Sequence, residues 1–328
     1  MKNRVFNGGD IEVSEVGLGC WQLGGGDWGD VSEDEAQAIL RASAAQGVTF
    51  FDTADVYGGG RSESLIGKFL AQTSERVFVA TKLGRVGDPG GAENFTRAAV
   101  RAHTEGSLRR LGVEALDLTQ LHCIPPHVLE HGEIFEWLRE LKQEGKIYSF
   151  GASVESMDEA QTCLRQEGLA SLQIIFNIFR QKPIDLLFDQ ARAARVALIV
   201  RLPLASGLLS GKYKRDTQFA PSDHRTYNRD GQAFNVGETF AGLPFETGVD
   251  LANALKPLMP PGMTMAQMAL RWCLDFEAVT AVIPGAKNPA MAESNAAASD
   301  LPPLPPALHQ HLREFYGVRV ADNIRGPY

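Results

Sequence analysis

The feature of this sequence that most constrains its fold is the regular alternation of short β-rich runs with amphipathic stretches of helical length. Eight runs follow one another: VGLGCW, VTFFDTA, VFVATKL, LDLTQLH, IYSFGAS, LQIIFN, LIVRLPL and VTAVIP. The stretch after the first run opens on Ser32 with Glu35 three residues later, which is typical of a helix start. Eight β-α units close a parallel sheet into a ring, so the pattern predicts an α/β fold, a (β/α)8 TIM barrel.

A doubly wound sheet is the alternative fold, and its glycine-rich phosphate motif is missing. That motif would start at Gly17 and Gly19, but Gln22 stands where the third glycine should be. The chain has 328 residues, of which 44% are apolar, and no linker divides it. We therefore expect residues 1–328 to form a single (β/α)8 barrel domain.

Three segments lie outside the repeated β-α units. RVF and IEV flank the turn Asn7-Gly8-Gly9-Asp10 and predict an N-terminal β-hairpin. The segment from Gly207 to Gly248, after the seventh strand, is longer than one helix requires, which favours a functional lid, with a disordered insertion as the alternative. LPPLPPALHQHLREFYG predicts a proline spacer and an extra C-terminal helix outside the barrel.

Charge and composition exclude several classes of partner. The formal net charge of −8 comes from acidic residues scattered among basic ones, so no basic surface for nucleic acid or an anionic membrane is visible. Cys20, Cys123, Cys163 and Cys273 are widely spaced, which indicates reduced thiols rather than a disulfide framework or a metal site. With no signal peptide or membrane-spanning run, we expect a cytoplasmic protein that binds a small molecule. The sequence leaves the oligomeric state open.

Polar side chains stand at the ends of three neighbouring predicted strands. Asp52 ends the second run with Tyr57 just beyond it, Lys82 ends the third and His122 ends the fourth. In a parallel barrel these ends share one mouth. An ammonium lowers the pKa of a nearby phenol, so Lys82 would tune Tyr57 as a proton donor, with Asp52 as the counter-charge. His122 would hydrogen-bond a carbonyl oxygen. Each residue taken alone also fits a purely structural role.

These motifs resemble the aldo-keto reductase family, NADP-dependent carbonyl reductases built on a (β/α)8 barrel. The resemblance covers nearly the whole chain, through VGLGCWQLGG, FDTADVYGGGRSE, ATKLG, GSLRRLGVEALDLTQLH, LKQEGKIYSFGAS and VIPGAKN. It implies that Asp52, Tyr57, Lys82 and His122 are the catalytic tetrad. It also implies reversible hydride transfer from NADPH to a small aldehyde or ketone, with Tyr57 as the general acid.

The resemblance further implies a binding site for NADP(H). Ser153 and Gln173 match the groups that fix the nicotinamide carboxamide, and Lys287 matches a position near the 2′-phosphate, which favours NADP over NAD. Arg225 on the long segment is a second candidate for the phosphate. The matched cofactor-binding positions are Gly19, Cys20, Trp21, Asp52, Ser153, Gln173, Arg201, Leu202, Pro203, Leu204, Ser206, Gly207, Lys212, Gly285, Lys287, Met291 and Asn295.

The sequence departs from the family at four of these places. Arg201 stands where a Trp or Tyr usually stacks on the nicotinamide. Its guanidinium would either stack there, bringing a positive charge to the ring, or pair with a neighbouring acid. Val154 replaces a frequent Asn, and Met291 and Ser294 replace a frequent Gln and Glu.

Two other functions stay open. A redox-sensing regulatory subunit would bind NADP with little turnover, although it would need no proton donor. A Schiff-base aldolase would use Lys82 as its nucleophile, although it would not require VIPGAKN. The carbonyl substrate is not named by the sequence; Trp21, Trp28 and Tyr57 indicate a partly aromatic pocket, and each tryptophan also fits a packing role.

Overall fold

The fold is an eight-stranded parallel barrel with a separate two-stranded hairpin, as a computed structural model shows. The structure describes residues 1–9 and 11–328. The predicted fold class is therefore confirmed. The hairpin strands are β1 Asn3–Val5 and β2 Glu12–Ser14, and the barrel strands are β3 Leu18–Gly19, β4 Phe50–Asp52, β5 Phe78–Leu83, β6 Leu116–His122, β7 Ile147–Ser153, β8 Leu169–Ile175, β9 Ala197–Arg201 and β10 Val279–Val282.

The first and last barrel strands meet through backbone contacts that close the sheet. Gly19 lies opposite Gly285 in a parallel bridge, and its N–H donates to the Pro284 carbonyl oxygen at 3.1 Å. A Cβ added at Gly19 would lie 2.7 Å from the Ile283 carbonyl oxygen, so only glycine permits this approach. Because the barrel closes with all strands parallel, their carboxyl ends surround one mouth.

The N-terminal hairpin packs at the opposite end of the barrel. β1 and β2 pair antiparallel, as predicted. Phe6 is fully buried, with its ring centroid 4.9 Å from that of Phe78 and 6.5 Å from that of Phe50. These rings belong to an apolar cluster contributed by several barrel strands, which is the packed barrel interior. Of the predicted turn, Asp10 lies outside the described residues.

Several helices begin where a side chain caps the first turn. Ser32 accepts a hydrogen bond from the Glu35 N–H, and the Glu35 carboxylate accepts one from the Ser32 N–H. This capping box satisfies donors that a helix start leaves unpaired. Thr264 and Gln267 form another. The helices are α1 Glu33–Ala45, α2 Arg61–Leu70, α3 Arg97–Leu111, α4 Pro126–His131, α5 Glu133–Gln143, α6 Met157–Leu164, α7 Pro183–Leu186, α8 Phe188–Ala193, α9 His224–Tyr227, α10 Phe245–Leu255, α11 Met265–Leu274, α12 Pro289–Ala296 and α13 Pro306–Phe315.

The long connection after the seventh barrel strand is folded, so the alternative of a disordered insertion is wrong. We call residues 207–248 the lid segment. The His224 N–H donates to the Asp27 carbonyl oxygen at 2.9 Å, and the Tyr227 hydroxyl donates to the Asp27 carboxylate at 2.8 Å. The segment thus reaches across the mouth to the loop that follows β3.

The C-terminal helix and tail pack on the outside of the barrel, as predicted. His309 on α13 lies 2.8 Å from the Asp275 carboxylate. Farther along, Arg325 pairs with Asp230 at 2.7 Å and its N–H donates to the Gly242 carbonyl oxygen at 3.1 Å. The tail therefore braces the lid segment.

Two further observations concern the cysteines and the helices. All four cysteines are free, as predicted. Within the described residues, no helix has both the length and the apolar character that a membrane crossing requires.

Candidate active site

A cavity of about 530 Å³ opens at the mouth of the barrel. Asp52, Tyr57 and His122 line it, while Lys82 lies directly behind Tyr57 and is buried. Strand register produces this grouping, because Asp52 pairs with Ala80 between β4 and β5 and so stands near the end of β5. The four residues predicted from their strand-end positions therefore come together in space.

Lys82 is held at the centre of the group. Its Nζ lies 2.5 Å from Asp52 Oδ1 and donates to Tyr57 Oη at 3.3 Å and to the Thr53 carbonyl oxygen at 2.7 Å. Burial alone would lower the pKa of Lys82, but Asp52 and Tyr57 raise it above its usual value. The amine is therefore protonated, which disfavours the aldolase alternative, since a Schiff base forms from the neutral amine.

Asp52 is oriented by two amides as well as by Lys82. Gln173 Nε2 donates to Asp52 Oδ2 at 2.7 Å, and Gln120 Nε2 lies 3.4 Å from the same oxygen. A buried ion pair is tolerated only when its remaining lone pairs are satisfied, and these amides meet that condition. Gln173, predicted as a cofactor contact, thus also fixes the carboxylate.

Tyr57 is a partly buried phenol held between aromatic rings. Its ring stacks on Trp21 at 5.8 Å and meets His122 edge-on at 5.8 Å. Burial raises the pKa of Tyr57, and the opposing effect of Lys82 is smaller. The expectation of a lowered pKa is therefore wrong for the net direction, because removing the phenol from water outweighs the ammonium. The hydroxyl consequently stays protonated and available as a donor.

His122 carries a neutral imidazole. Its pKa is lowered well below the usual value by burial and by the positive charges of Arg85, Lys82 and Arg201. Among the described residues, His122 Nδ1 has no hydrogen-bond partner. A neutral imidazole at the cavity wall can donate one hydrogen bond to a substrate oxygen without carrying charge.

Most positions matched to cofactor binding line the same cavity. Two do not, among the described residues: Ser153 is buried with its Oγ 3.5 Å from Cys123 Sγ, and Asn295 donates to the Gly285 carbonyl oxygen at 3.2 Å. Both side chains therefore lie outside the cavity lining. The positions that line the cavity are Gly19, Cys20, Trp21, Asp52, Gln173, Arg201, Leu202, Pro203, Leu204, Ser206, Gly207, Lys212, Gly285, Lys287 and Met291.

The cavity wall fits a dinucleotide on two structural grounds. The backbone after β9 bends through positive φ at Ala205, Ser206 and Gly207, with angles of 49°, 53° and 94°. A Cβ at Gly207 would collide with the Tyr213 hydroxyl, so this cradle requires glycine. In the same wall, Gln22 Oε1 is buried without a partner among the described residues, as expected of an acceptor that awaits a ligand donor.

Cations gather where the phosphate contact was expected. Lys287 Nζ donates to the Trp28 carbonyl oxygen at 2.6 Å, and burial and the nearby Arg225 lower its pKa. Arg225 lies over the Trp28 ring at 4.8 Å and pairs with Asp223. Two cations beside one carboxylate leave this part of the wall with an excess positive charge, which suits an anionic group.

Arg201 both lines the cavity and forms an ion pair, so the two roles considered for it are compatible. Its Nη1 lies 3.5 Å from Glu238 Oε2, while its Nη2 donates to the Val154 carbonyl oxygen at 3.2 Å and lies 3.4 Å from Cys123 Sγ. These contacts draw the guanidinium across the mouth from β9 toward the ends of β6 and β7.

Sequence reasoning missed several cavity residues. Arg85 follows Lys82 by three residues and so had a strand-end signal that pointed to the mouth. Glu238 and Phe234 lie on the lid segment, where no local pattern shows which side chains turn inward. The cavity residues that the sequence did not propose as site residues are Gln22, Asp27, Val56, Arg85, Pro89, Ser210, Tyr213, Tyr227, Ala233, Phe234, Glu238, Ile283 and Pro284.

Known proteins of similar sequence and structure cover nearly the whole chain. It is 30% identical over 291 residues to the aldo-keto reductase YhdN of Bacillus subtilis, covering 87% of this chain and 84% of that protein. It is 28% identical to the NADH-specific methylglyoxal reductase of Escherichia coli, covering 92% and 94%. The solved glycerol dehydrogenase AKR11B4 of Gluconobacter oxydans superposes with a TM-score of 0.78 at 28% identity, covering 99% and 98%.

The family assignment rests on sequence as well as fold. The family model described as "Aldo/keto reductase family" matches residues 15–316. This span contains all eight barrel strands, the four residues around Lys82 and the lid segment. The chain therefore belongs to the aldo/keto reductase family.

Proposed function

We propose that this protein is an NADP-dependent oxidoreductase that transfers hydride reversibly between NADPH and a small aldehyde or ketone. One observation carries the proposal: the Lys82 ammonium stands 2.5 Å from Asp52 Oδ1 and 3.3 Å from Tyr57 Oη at the cavity wall. This arrangement supplies a proton donor and stabilises the phenolate that remains after donation. Bound NADPH would supply the hydride.

Each of the four side chains has its own role in the proton transfer. As hydride reaches the carbonyl carbon, Tyr57 gives its proton to the carbonyl oxygen and an alcohol forms. Lys82 stabilises the phenolate, and Asp52 keeps the buried ammonium charged. His122, neutral and at the same wall, donates a hydrogen bond to the carbonyl oxygen and orients it.

The preference for NADP rests on the chain's own residues. The Escherichia coli relative is NADH-specific by name, so membership of the family does not decide the cofactor. Lys287 and Arg225 both line the cavity, with Asp223 as a shared neighbouring carboxylate. Their excess charge favours a dinucleotide with the additional 2′-phosphate.

The substrate pocket is walled by aromatic rings. Trp21, Trp28 and Phe234 line the cavity, and the centroids of the two tryptophans lie 5.6 Å apart. Such walls suit a small carbonyl compound with little charge. Methylglyoxal, named for the Escherichia coli relative, is the first substrate to test, and glycerol, named for the Gluconobacter relative, is the first for the reverse direction.

Titration with NADPH and NADH, followed by tryptophan fluorescence, tests the proposal, because Trp21 and Trp28 line the cavity. Methylglyoxal and other small aldehydes are then added while the absorbance of the reduced nicotinamide is recorded. Binding with cofactor oxidation supports a reductase. Binding without oxidation across the whole panel favours the redox-sensing alternative. The absence of binding overturns the proposal.

The variant Lys287→Ala tests the cofactor preference. We expect NADPH affinity to fall about tenfold while NADH affinity stays unchanged, since only NADPH carries the phosphate that the ammonium would pair with. Lys68→Ala is a matched control, because it removes an exposed lysine paired with Glu33 outside the cavity. An equal loss for both cofactors would mean that Lys287 supports the wall through Trp28 and that the phosphate is held elsewhere.

A further inference from the structure

Four charged side chains beside the tetrad neither give nor take a proton in the chemistry above. We call Arg85, Glu155, Arg201 and Glu238 the charge cluster. Glu238 on the lid segment lies 3.0 Å from Arg85 Nη2 and 3.5 Å from Arg201 Nη1, and Glu155 lies 3.6 Å from Arg85 Nη2. The side chains are 6% to 18% exposed. The lid segment thus places one carboxylate between two arginines of the barrel.

Arg201 is the member of the cluster that would face the nicotinamide, an assignment that rests on the proposed function. A hydride donor must lie against the carbonyl carbon whose oxygen is held by Tyr57 and His122. Arg201 lines the same cavity and is close enough to His122 to depress the pKa of its imidazole. Its planar guanidinium, fixed by the Val154 carbonyl oxygen, can stack on a ring as an aromatic side chain does.

A guanidinium at this place creates an electrostatic difficulty. The nicotinamide ring is positively charged when oxidised and neutral when reduced, so a bare cation beside it weakens binding of the oxidised form alone. At roughly 7 Å and an effective dielectric constant of about 20, one unit charge changes a binding constant by roughly fiftyfold. The chain meets this difficulty with Glu238, which burial alone would protonate but which Arg85 and Arg201 keep ionised.

We propose that Glu238 is a positioning residue that holds Arg201 flat against the nicotinamide site and offsets part of its charge. The lid segment then does more than cover the cofactor. Through Glu238 it sets the relative affinity of the protein for oxidised and reduced cofactor, and hence how readily the bound cofactor gives up hydride.

The test is the pair of dissociation constants for NADP⁺ and NADPH, measured without substrate in the full chain. We expect Glu238→Gln to weaken NADP⁺ binding about tenfold more than NADPH binding, because Arg201 loses its counter-charge. Arg201→Met should move the ratio in the opposite direction, since it removes the cation and keeps the carboxylate. The double variant should return toward the original ratio.

Asp230→Asn is the matched control. Asp230 also lies on the lid segment in an ion pair, with Arg325, but outside the cavity wall among the described residues. Loosening the lid in this way should weaken both cofactor forms equally. If Glu238→Gln does the same, and Arg201→Met leaves the ratio unchanged, the role of Glu238 is structural and the inference is overturned. Failure of the unaltered protein to bind either form would instead overturn the proposed function.

Discussion

Two ion-paired groups meet at the barrel mouth, and they are built in different ways. Asp52 and Lys82 stand on adjacent strands, are 2% and 1% exposed, and approach to 2.5 Å. In the charge cluster the lid segment supplies Glu238, the barrel supplies Arg85 and Arg201, and the distances are 3.0 and 3.5 Å. The ion pair between Asp52 and Lys82 is short and buried. The ion pairs of the charge cluster are longer, and they join the lid segment to the barrel.

The difference shows how geometry is fixed in each case. The Asp52 and Lys82 backbones are locked by parallel strand register, so their separation follows from the hydrogen-bonded ladder. Glu238 reaches its partners only when the lid segment is docked. Arg85 Nε and Arg201 Nε also have no partners among the described residues. We infer that the first group is suited to invariant proton chemistry and the second to adjustable control of cofactor charge.

The largest expected effect comes from removing the proton donor, the Tyr57 hydroxyl, which contacts Lys82. Tyr57→Phe should lower turnover by roughly 10²- to 10⁴-fold, because the carbonyl oxygen loses its general acid. Cofactor affinity should stay within about twofold, since the ring and its stacking on Trp21 remain. Steady-state kinetics and cofactor titration measure the two quantities. Equal losses in both would show that the hydroxyl is structural.

Breaking the first ion pair should also be costly for stability. Lys82→Met leaves Asp52 as a buried carboxylate with amide partners only, and we expect the free energy of unfolding to fall by roughly 3–5 kcal/mol. Chemical denaturation measures it. Arg97→Met breaks an exposed pair with Glu140 and should cost at most about 1 kcal/mol. If the two variants lose the same stability, burial does not distinguish these pairs.

The smallest expected effect concerns Glu155, the other carboxylate of the charge cluster. Burial and the nearby Glu238 raise the pKa of Glu155 to about 8, so the folded protein keeps a proton that the unfolded chain loses near its ordinary value of 4.5. The free energy of unfolding should therefore fall as pH rises from about 4.5 to about 8.

Glu155→Gln checks that sign, because an amide cannot titrate. Denaturation curves across the same pH range should show a flatter stability profile for the variant than for the unaltered protein. An unchanged slope would mean that Glu155 is ionised in the folded state and that both glutamates pair with the arginines.

Much of the fold and of the candidate site was predictable because the signals are local. The eight β-rich runs and the side chains at their carboxyl ends identify the barrel and the group around Lys82. The limits of prediction from the sequence are also physical. Tyr57 has a raised pKa because burial outweighs Lys82, and the degree of burial depends on packing from several elements. Ser153 and Asn295 match the family pattern, yet their side chains lie outside the cavity lining.

The sequence by itself determined the (β/α)8 barrel and the meeting of Asp52, Tyr57, Lys82 and His122, because strand register converts positions in the chain into positions at the mouth. Only the tertiary structure decided that Arg201 is paired as well as facing the cavity, and that its partner is Glu238. Arg85 and Glu238 are 153 residues apart, and no periodic pattern links them. Their contact depends on how a long, irregular segment docks, which is set by many weak interactions with the barrel and the C-terminal tail rather than by any local motif.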